Sequence, residues 1–141
     1  MTPTARSLAA LRRAGALAGV VEQIIRLPAG RRRLSGRVFR RDLFGFLDLV
    51  AVEPGKPGVL GVQATTATNF SHRVEKVLTA PGVRTWLEAG NRVEVHGWSL
   101  RGPKGTRKRW GCTVSEIVNG SGQLYVCGPT AAMTGAERHG P

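Results

Sequence analysis

The stretch DLFGFLDLVAVEPGKPGVLGVQAT, residues 42–65, contains two apolar, strand-like runs joined by a turn rich in proline and glycine. Asp48 opens the first run, and Gln63 stands near the end of the second. Because side chains alternate along a strand, Gln63 and Thr65 share one face. If the two runs pair as a hairpin, Asp48 and Gln63 meet at one edge of the sheet. An acid beside a second oxygen ligand predicts a site for a hard divalent cation.

The chain is strongly basic, with 21 Lys and Arg against 9 Asp and Glu and a formal net charge of +12 over 141 residues. A charge of this size repels itself in a compact fold, so it favours a polyanionic partner, with nucleic acid as the first candidate. The length predicts one domain over residues 1–117, followed by a partly flexible C-terminal tail over residues 118–141.

No apolar run approaches the length that spans a bilayer, and Arg12 and Arg13 interrupt the N-terminal apolar stretch, unlike a secretory signal. We therefore expect a cytoplasmic protein without a membrane partner. Cys112 and Cys127 lack the spacing of metal ligands, and we interpret them as reduced thiols.

The N-terminal third predicts a helix, a strand and a basic loop. Residues 4–17 have the apolar spacing of an amphipathic helix. Residues 20–26 are rich in β-branched side chains and favour a strand, with a longer helix as the alternative. Residues 28–41 carry six arginines and no apolar face, which is typical of an exposed loop, with a short strand at 37–39.

The segment after the hairpin predicts two helices and two strands. Apolar side chains from Phe70 to Leu78 recur at helical spacing, and a second short helix begins near Pro81 and ends at Gly90. Residues 92–98 and 109–117 read as strands, and the tail adds a short strand at 124–127. The order helix, three strands, two helices, two strands predicts an α/β fold with a mixed central sheet flanked by helices.

This order of elements, with Asp48 opening the second strand and the triplet Gln63, Ala64 and Thr65 ending the third, resembles the PD-(D/E)XK nuclease superfamily. The small phage and archaeal Holliday junction resolvases look closest, and the resemblance covers residues 8–117 as a pattern. It implies a restriction-endonuclease-like αβββαβ core. In that superfamily the strand acid and the acid of the triplet bind magnesium, and the lysine of the triplet orients or activates the attacking water.

The resemblance assigns Asp48 the role of the strand acid and puts Gln63 where the superfamily usually has glutamate. Thr65 stands where lysine is expected, and Lys76 on the following helix is a candidate to replace that lysine. Glu22 and Asp42 are alternative candidates for a further acidic ligand. The catalytic candidates are Asp48, Gln63, Thr65, Lys76 and Glu22; the metal candidates are Asp48, Gln63, Ala64 through its carbonyl, and Asp42.

Two arginine-rich blocks, both expected on loops beside the proposed site, and one helical arginine are candidates for phosphate contacts, which fix position without reading bases. A charge run can also be merely solvated. The candidates are Arg31, Arg32, Arg33, Arg37, Arg40, Arg41, Arg73, Arg101, Lys104, Arg107, Lys108 and Arg109.

The sequence therefore predicts an endonuclease that uses Mg²⁺ or Mn²⁺ to hydrolyse phosphodiester bonds. The resemblance further implies branched DNA as substrate, a homodimer, and a phage or prokaryotic host cell. One alternative is a non-catalytic nucleic-acid-binding protein on the same fold, in which Thr65 in place of the expected lysine indicates lost catalysis. Another is an RNA-binding basic protein, although the aromatic residues are few and scattered.

Overall fold

The computed structural model describes residues 1–26 and 38–134. Within these ranges the chain forms three α-helices and eight strands. In chain order they are α1 (Pro3–Arg13), β1 (Leu17–Val20), β2 (Gln23–Arg26), β3 (Val38–Arg41), β4 (Leu49–Val52), β5 (Leu60–Thr66), α2 (Phe70–Leu78), α3 (Val83–Glu88), β6 (Arg92–Arg101), β7 (Arg109–Gly120) and β8 (Gln123–Thr134).

Six of the strands form one mixed sheet in the order β1-β4-β5-β6-β7-β8, while β2 and β3 pair as a separate antiparallel ribbon. Only β5 and β6 are parallel among the paired strands of the described residues. Parallel neighbours need a crossover connection, and α2 and α3 supply it. The α/β class with a mixed sheet and flanking helices is thus confirmed.

Helices cover both faces of the sheet because its inner strands alternate apolar side chains on each side. On one face, Leu11 of α1 packs with Leu49, Leu60 and Val62. The opposite face packs against α2 and α3 through a cluster of Phe46, Leu47, Val77, Val83, Val93, Val95 and Ile117. No helix in the described residues is long and apolar enough to cross a membrane.

The predicted hairpin of β4 and β5 is confirmed, with Leu49 opposite Val62 and Ala51 opposite Leu60. Its turn lies against the start of β6. A Cβ at Gly58 would lie 2.1 Å from the carbonyl oxygen of Gly90, so only glycine fits this approach.

The N-terminal elements differ from the prediction. Helix α1 ends at Arg13, and Gly15, with φ of 93°, turns the chain out of the helix. The prediction assigned Leu17 to the end of the helix and Val20 to the start of the next strand, whereas residues 17–20 together form β1, which pairs with β4 at the edge of the sheet. The β-branched run over residues 20–26 is therefore divided between β1 and β2.

The C-terminal part also differs from the expected tail. Strand β7 continues to Gly120, and β8 pairs with it from Gln123 to Thr134 rather than over four residues. Ser121 and Gly122 both have positive φ, at 52° and 85°, which closes a two-residue hairpin turn. Residues 118–134 thus belong to the sheet, and residues 135–141 lie outside the described residues.

Candidate metal centre

Three carboxylates meet at the end of the sheet where β4 begins. Asp48 immediately precedes β4, and its backbone N–H donates to the carbonyl of Val62 at 2.9 Å. Its own carbonyl accepts hydrogen bonds from the backbone N–H groups of Val21 at 2.9 Å and Glu22 at 3.2 Å. The main chain of Asp48 therefore fixes Glu22, just beyond β1, next to itself.

A tight turn over residues 42–48 brings the third acid into place. Leu43 and Leu47 exchange backbone hydrogen bonds of 2.8 and 3.0 Å, and Gly45 turns the chain with φ of 80°. Leu47 is fully buried in the core and anchors the turn. Asp42, at the end of β3, and Asp48, at the start of β4, consequently lie side by side.

The carboxylate oxygens of Glu22, Asp42 and Asp48 lie within 4.8 Å of one another. Two oxygen ligands that share one divalent cation at ~2.1–2.4 Å each are at most ~4.2–4.8 Å apart. One cation can therefore contact all three acids, and the two sequence alternatives for a further acidic ligand, Glu22 and Asp42, both lie beside Asp48.

Asp48 and Gln63 are on the same face of the sheet and in contact, as the alternation predicted. One oxygen of Asp48 accepts a hydrogen bond from the Gln63 side-chain amide and another, of 2.9 Å, from the Ala64 backbone N–H. The N–H and C=O of one strand residue point to the same edge, so the Ala64 carbonyl faces the side on which Asp48 lies. Ala64 accordingly lines the cleft beside the acids.

The amide oxygen of Gln63 is buried without a hydrogen-bond partner among the described residues. A buried acceptor left unpaired costs free energy, and a cation satisfies such an oxygen as well as a donor does. Rotation of the amide by half a turn exchanges its oxygen and nitrogen, which brings the oxygen against Asp48 and any ion that Asp48 holds. The residues present therefore fit a hard divalent cation.

Burial and the neighbouring Asp42 raise the pKa of Asp48 from 3.8 to about 7, although the hydrogen bonds from Ala64 and Gln63 oppose the shift. Burial would also raise the pKa of Asp42, but its hydrogen bonds with Asp48 and Lys76 and the charges of Lys76 and Arg73 lower it below 3.8. One proton is thus held on Asp48 and donated toward Asp42.

Lys76, the sequence candidate on the helix after β5, extends from α2 to the cleft and forms an ion pair with Asp42. Thr65 is 5% exposed and lines the cleft one residue beyond Ala64. An ammonium group thus lies beside Asp42, while position 65 presents a hydroxyl.

The three acids lie in a cleft of about 980 Å³ whose walls are basic. Its cationic lining residues are Arg40, Arg41, Arg73 and Lys76. Arg31, Arg32, Arg33 and Arg37 of the first basic block lie outside the described residues. The three acids form what we call the floor of the cleft, and Arg40, Arg41, Arg73 and Lys76 form its cationic rim. This arrangement suits a divalent cation and a phosphate group bound together.

No protein-family model, curated protein or solved structure matches this chain.

The second basic block is not part of the cleft lining. Arg101, Lys104, Arg107, Lys108 and Arg109 lie where β6 and β7 turn back on each other, beyond the end of β5. The sequence placed both blocks beside the site, whereas the structure puts only the first block, through Arg40 and Arg41, in contact with the cleft.

Sequence reasoning missed the contribution of α1, whose N-terminal residues Thr2, Pro3 and Thr4 line the cleft, and that of Phe44 in the acidic turn. The arrangement DLFGFLD, with two acids bracketing a glycine, was the available signal for the turn. Nothing local in the sequence indicates that the start of α1 reaches the same cleft.

Proposed function

We propose that this protein is a metal-dependent endonuclease that hydrolyses phosphodiester bonds in DNA. The observation that carries the proposal is the convergence of Glu22, Asp42 and Asp48 within 4.8 Å on the floor of a cleft with a cationic rim. When all three carboxylates are ionised they repel one another, with Asp48 almost fully buried, and a bound divalent cation would offset this repulsion.

The order of elements supports the same proposal. Helix α1, strands β1, β4 and β5, helix α2 and the parallel strand β6 follow the αβββαβ order of the PD-(D/E)XK superfamily, and β2 and β3 form an insertion between the first two core strands. The acid and the polar triplet occupy the positions in this order that the superfamily uses for its metal ligands.

Each group has a distinct role in the proposed reaction. Glu22, Asp42 and Asp48, with the Ala64 carbonyl and the side-chain oxygen of Gln63, would hold the cation. A bound Mg²⁺ or Mn²⁺ supplies Lewis acidity toward the phosphate and lowers the pKa of a coordinated water. Lys76 provides positive charge next to Asp42, where it stabilises charge that develops on the phosphate.

The rim residues position the substrate. Arg40, Arg41 and Arg73 line the cleft around the acids, and guanidinium groups bind phosphate oxygens in pairs. Branched DNA as the preferred substrate, and a homodimer that presents two sites to two strands, follow from the resemblance to junction resolvases and form the specific version of the proposal.

The test is a cleavage assay on a four-way junction, a duplex and a single strand, each in Mg²⁺, Mn²⁺ or EDTA. We expect cleavage only with metal, fastest on the junction, and a loss on the order of 100-fold or more in Asp48→Ala because a ligand that stabilises the transition state is removed. Glu88→Ala is the matched control, since Glu88 is an exposed acid on α3 outside the cluster.

A second candidate is a DNA-binding protein without catalysis. It is favoured by the buried hydroxyl of Thr65 in place of a lysine and by the ion pair that occupies Lys76. Tight, metal-independent binding of DNA by both the wild type and Asp48→Ala, with no cutting in either metal, would establish this second candidate.

A further inference from the structure

The turn between β6 and β7 projects beyond the end of β5. The parallel pairing of β5 with β6 ends at Thr66 and Trp98, whereas β6 and β7 stay paired as far as Arg101 and Arg109. On the other side, the described part of β8 pairs with β7 as far as Gly111. Residues 99–111, named here the basic ribbon, therefore extend as two strands and a connecting loop past the end of β5.

The basic ribbon leaves the sheet at the end that carries the cleft. Its strand β6 runs parallel to β5, and Ala64 and Thr65 of the cleft pair with His96 and Gly97. Three further residues carry β6 to Arg101, so the paired part extends ~10 Å beyond the end of β5 before the loop begins. The acids and the ribbon thus face the same side of the molecule.

Five cations and no acid occur in the basic ribbon, namely Arg101, Lys104, Arg107, Lys108 and Arg109. Arg101 is engaged internally through Ser99 at 2.9 Å and through Thr113. Lys104, Arg107 and Lys108 are exposed, and no side-chain partner is seen for them among the described residues. These three side chains are available for an external anion.

The base of the ribbon is braced. The guanidinium group of Arg6 on α1 lies 3.7 Å from the ring centroid of Trp110, a cation–π contact. In the loop, the backbone N–H and the hydroxyl of Thr106 both donate to the Pro103 carbonyl, at 3.2 and 2.7 Å. Since Thr4 of α1 and its N-cap Thr2 also line the cleft, one helix contacts both the ribbon and the cleft.

We propose that the basic ribbon enters the major groove of a DNA duplex on one side of the phosphate held in the cleft. The identity of the polyanion as DNA rests on the proposed function. A two-stranded β-ribbon fits the ~12 Å width of the major groove. The five residues of β6 that follow His96 as far as Arg101, about two strand spacings of ~4.8 Å and the loop beyond put the tip roughly 20–25 Å from the carboxylates, which corresponds to about six to seven base pairs at ~3.4 Å each.

Binding is tested in EDTA, so that the result does not depend on cleavage. A fluorescent 24-base-pair duplex is titrated over a range of salt concentrations with wild type, with K104Q/R107Q/K108Q, and with the charge-matched control R13Q/K56Q/R84Q. The control residues lie at the opposite end of the sheet, at the end of α1, in the β4–β5 turn and against the β7–β8 turn.

Each phosphate contact contributes ~0.9 to the slope of log K against log salt. We expect the ribbon variant to lower the slope by about 2 to 3 and to weaken binding more than 10-fold at ~0.1 M salt, while the control changes the slope by less than 1. Equal effects of both variants would overturn the proposal, because net charge alone would then explain binding. Circular dichroism melts confirm that both variants remain folded.

Groove placement is tested by methylation of guanine N7 with dimethyl sulfate on the duplex bound in EDTA. Protection about six to seven base pairs to one side of the protein's central footprint, lost in the ribbon variant, is expected. Protection that the ribbon variant retains would contradict major-groove entry, and so would stronger binding of the protein to phosphatidylserine vesicles than to duplex.

The two proposals can fail separately. Absence of metal-dependent cleavage refutes the nuclease and leaves these binding results unchanged.

Discussion

Asp48 is the residue on which the site depends, and its environment disfavours the ionised form of its carboxyl group. It is 4% exposed, lies beside Asp42, and has a pKa raised to about 7. The unfolded chain loses this proton near 3.8, whereas the folded chain keeps it up to about pH 7. The raised pKa therefore makes the free energy of unfolding fall as pH rises between these two values.

Asp48→Asn is expected to stabilise the metal-free protein at pH 8. Its amide oxygen can still accept from Ala64, and its amide nitrogen can donate to Asp42 as the protonated acid does. A shift of ~3 pKa units corresponds to a gain on the order of 2–4 kcal/mol at pH 8 and to almost none at pH 4. Urea unfolding in EDTA at pH 4, 6 and 8 measures the difference.

Equal stability of Asp48→Asn and wild type at pH 8 would contradict the raised pKa. Glu88→Gln, an exposed acid, serves as the control and is expected to show no such pH-dependent gain. The lowered pKa of Asp42 acts in the opposite sense, because stability that it contributes above pH 3.8 is lost as pH falls below that value.

Gln63→Glu is expected to lower the stability of the metal-free protein and to raise its affinity for the metal. A fourth carboxylate next to Asp48 adds repulsion at a fully buried position, so the metal-free protein should unfold at lower urea concentration. Because the added charge is a better ligand than an amide oxygen, the Kd for Mn²⁺ should fall about 10-fold or more. Calorimetric titration measures the affinity, and an unchanged Kd would exclude residue 63 from the metal site.

At the scale of elements, α1 is attached to the sheet by a buried polar network on the face opposite the acids. The hydroxyl of Ser7 accepts a hydrogen bond from the Trp98 indole at 2.9 Å and lies 2.9 Å from Nδ1 of His96. Nε2 of His96 is 2.7 Å from the carboxylate of Glu94. Ser7 and His96 are fully buried, so this network orients the helix rather than binding a substrate.

Ser7→Ala is expected to destabilise the fold by about 1–3 kcal/mol, because it leaves the Trp98 indole and His96 without their buried partner. Chemical denaturation measures the loss. The double variant Ser7→Ala/Trp98→Phe also removes the indole N–H that Ser7→Ala leaves unpaired. The losses in free energy of unfolding from the two changes should therefore be less than additive. Strict additivity would contradict a shared network.

The elements whose side chains show the periodicity of packing on the core were predictable from the sequence, whereas the extents of the edge strands β1 and β8 were not. The alternation of β5 and the helical spacing of α2 come from side chains that pack on a core, as with Val62 and Val77. By contrast, Leu17 of β1 is 78% exposed, so no burial pattern distinguishes it from a helix end. The sequence of β8 has only a weak propensity for β-strand, so this strand depends on its pairing with β7. That pairing cannot be read from a short stretch of sequence.

The same distinction applies to the site. The contact between Asp48 and Gln63 follows from two neighbouring strands, and the sequence predicted it. The choice between Glu22 and Asp42 could not be made, because Glu22 is placed by hydrogen bonds to the Asp48 carbonyl and Asp42 by the left-handed turn at Gly45. Both are consequences of tertiary structure.

At the scale of the whole molecule, the net charge of +12 opposes folding through self-repulsion. Because salt screens this repulsion, the Tm is expected to rise by several degrees as NaCl increases from about 0.02 M to about 0.3 M. The R13Q/K56Q/R84Q variant, with a net charge of +9, should gain less from salt. A Tm that falls with salt would show that attractive ion pairs dominate instead.

The parallel pairing of β5 with β6, the single one in the part of the chain that the structure describes, has a consequence for the order of assembly during folding. The β4–β5 and β6–β7 hairpins join residues close in the chain, whereas β5 meets β6 only after the helical crossover over residues 67–91 has been ordered. Glu22, Asp42 and Asp48 all precede that crossover and are synthesised first. We therefore expect the carboxylates to gather early and the basic ribbon to join them later, when β6 docks on β5.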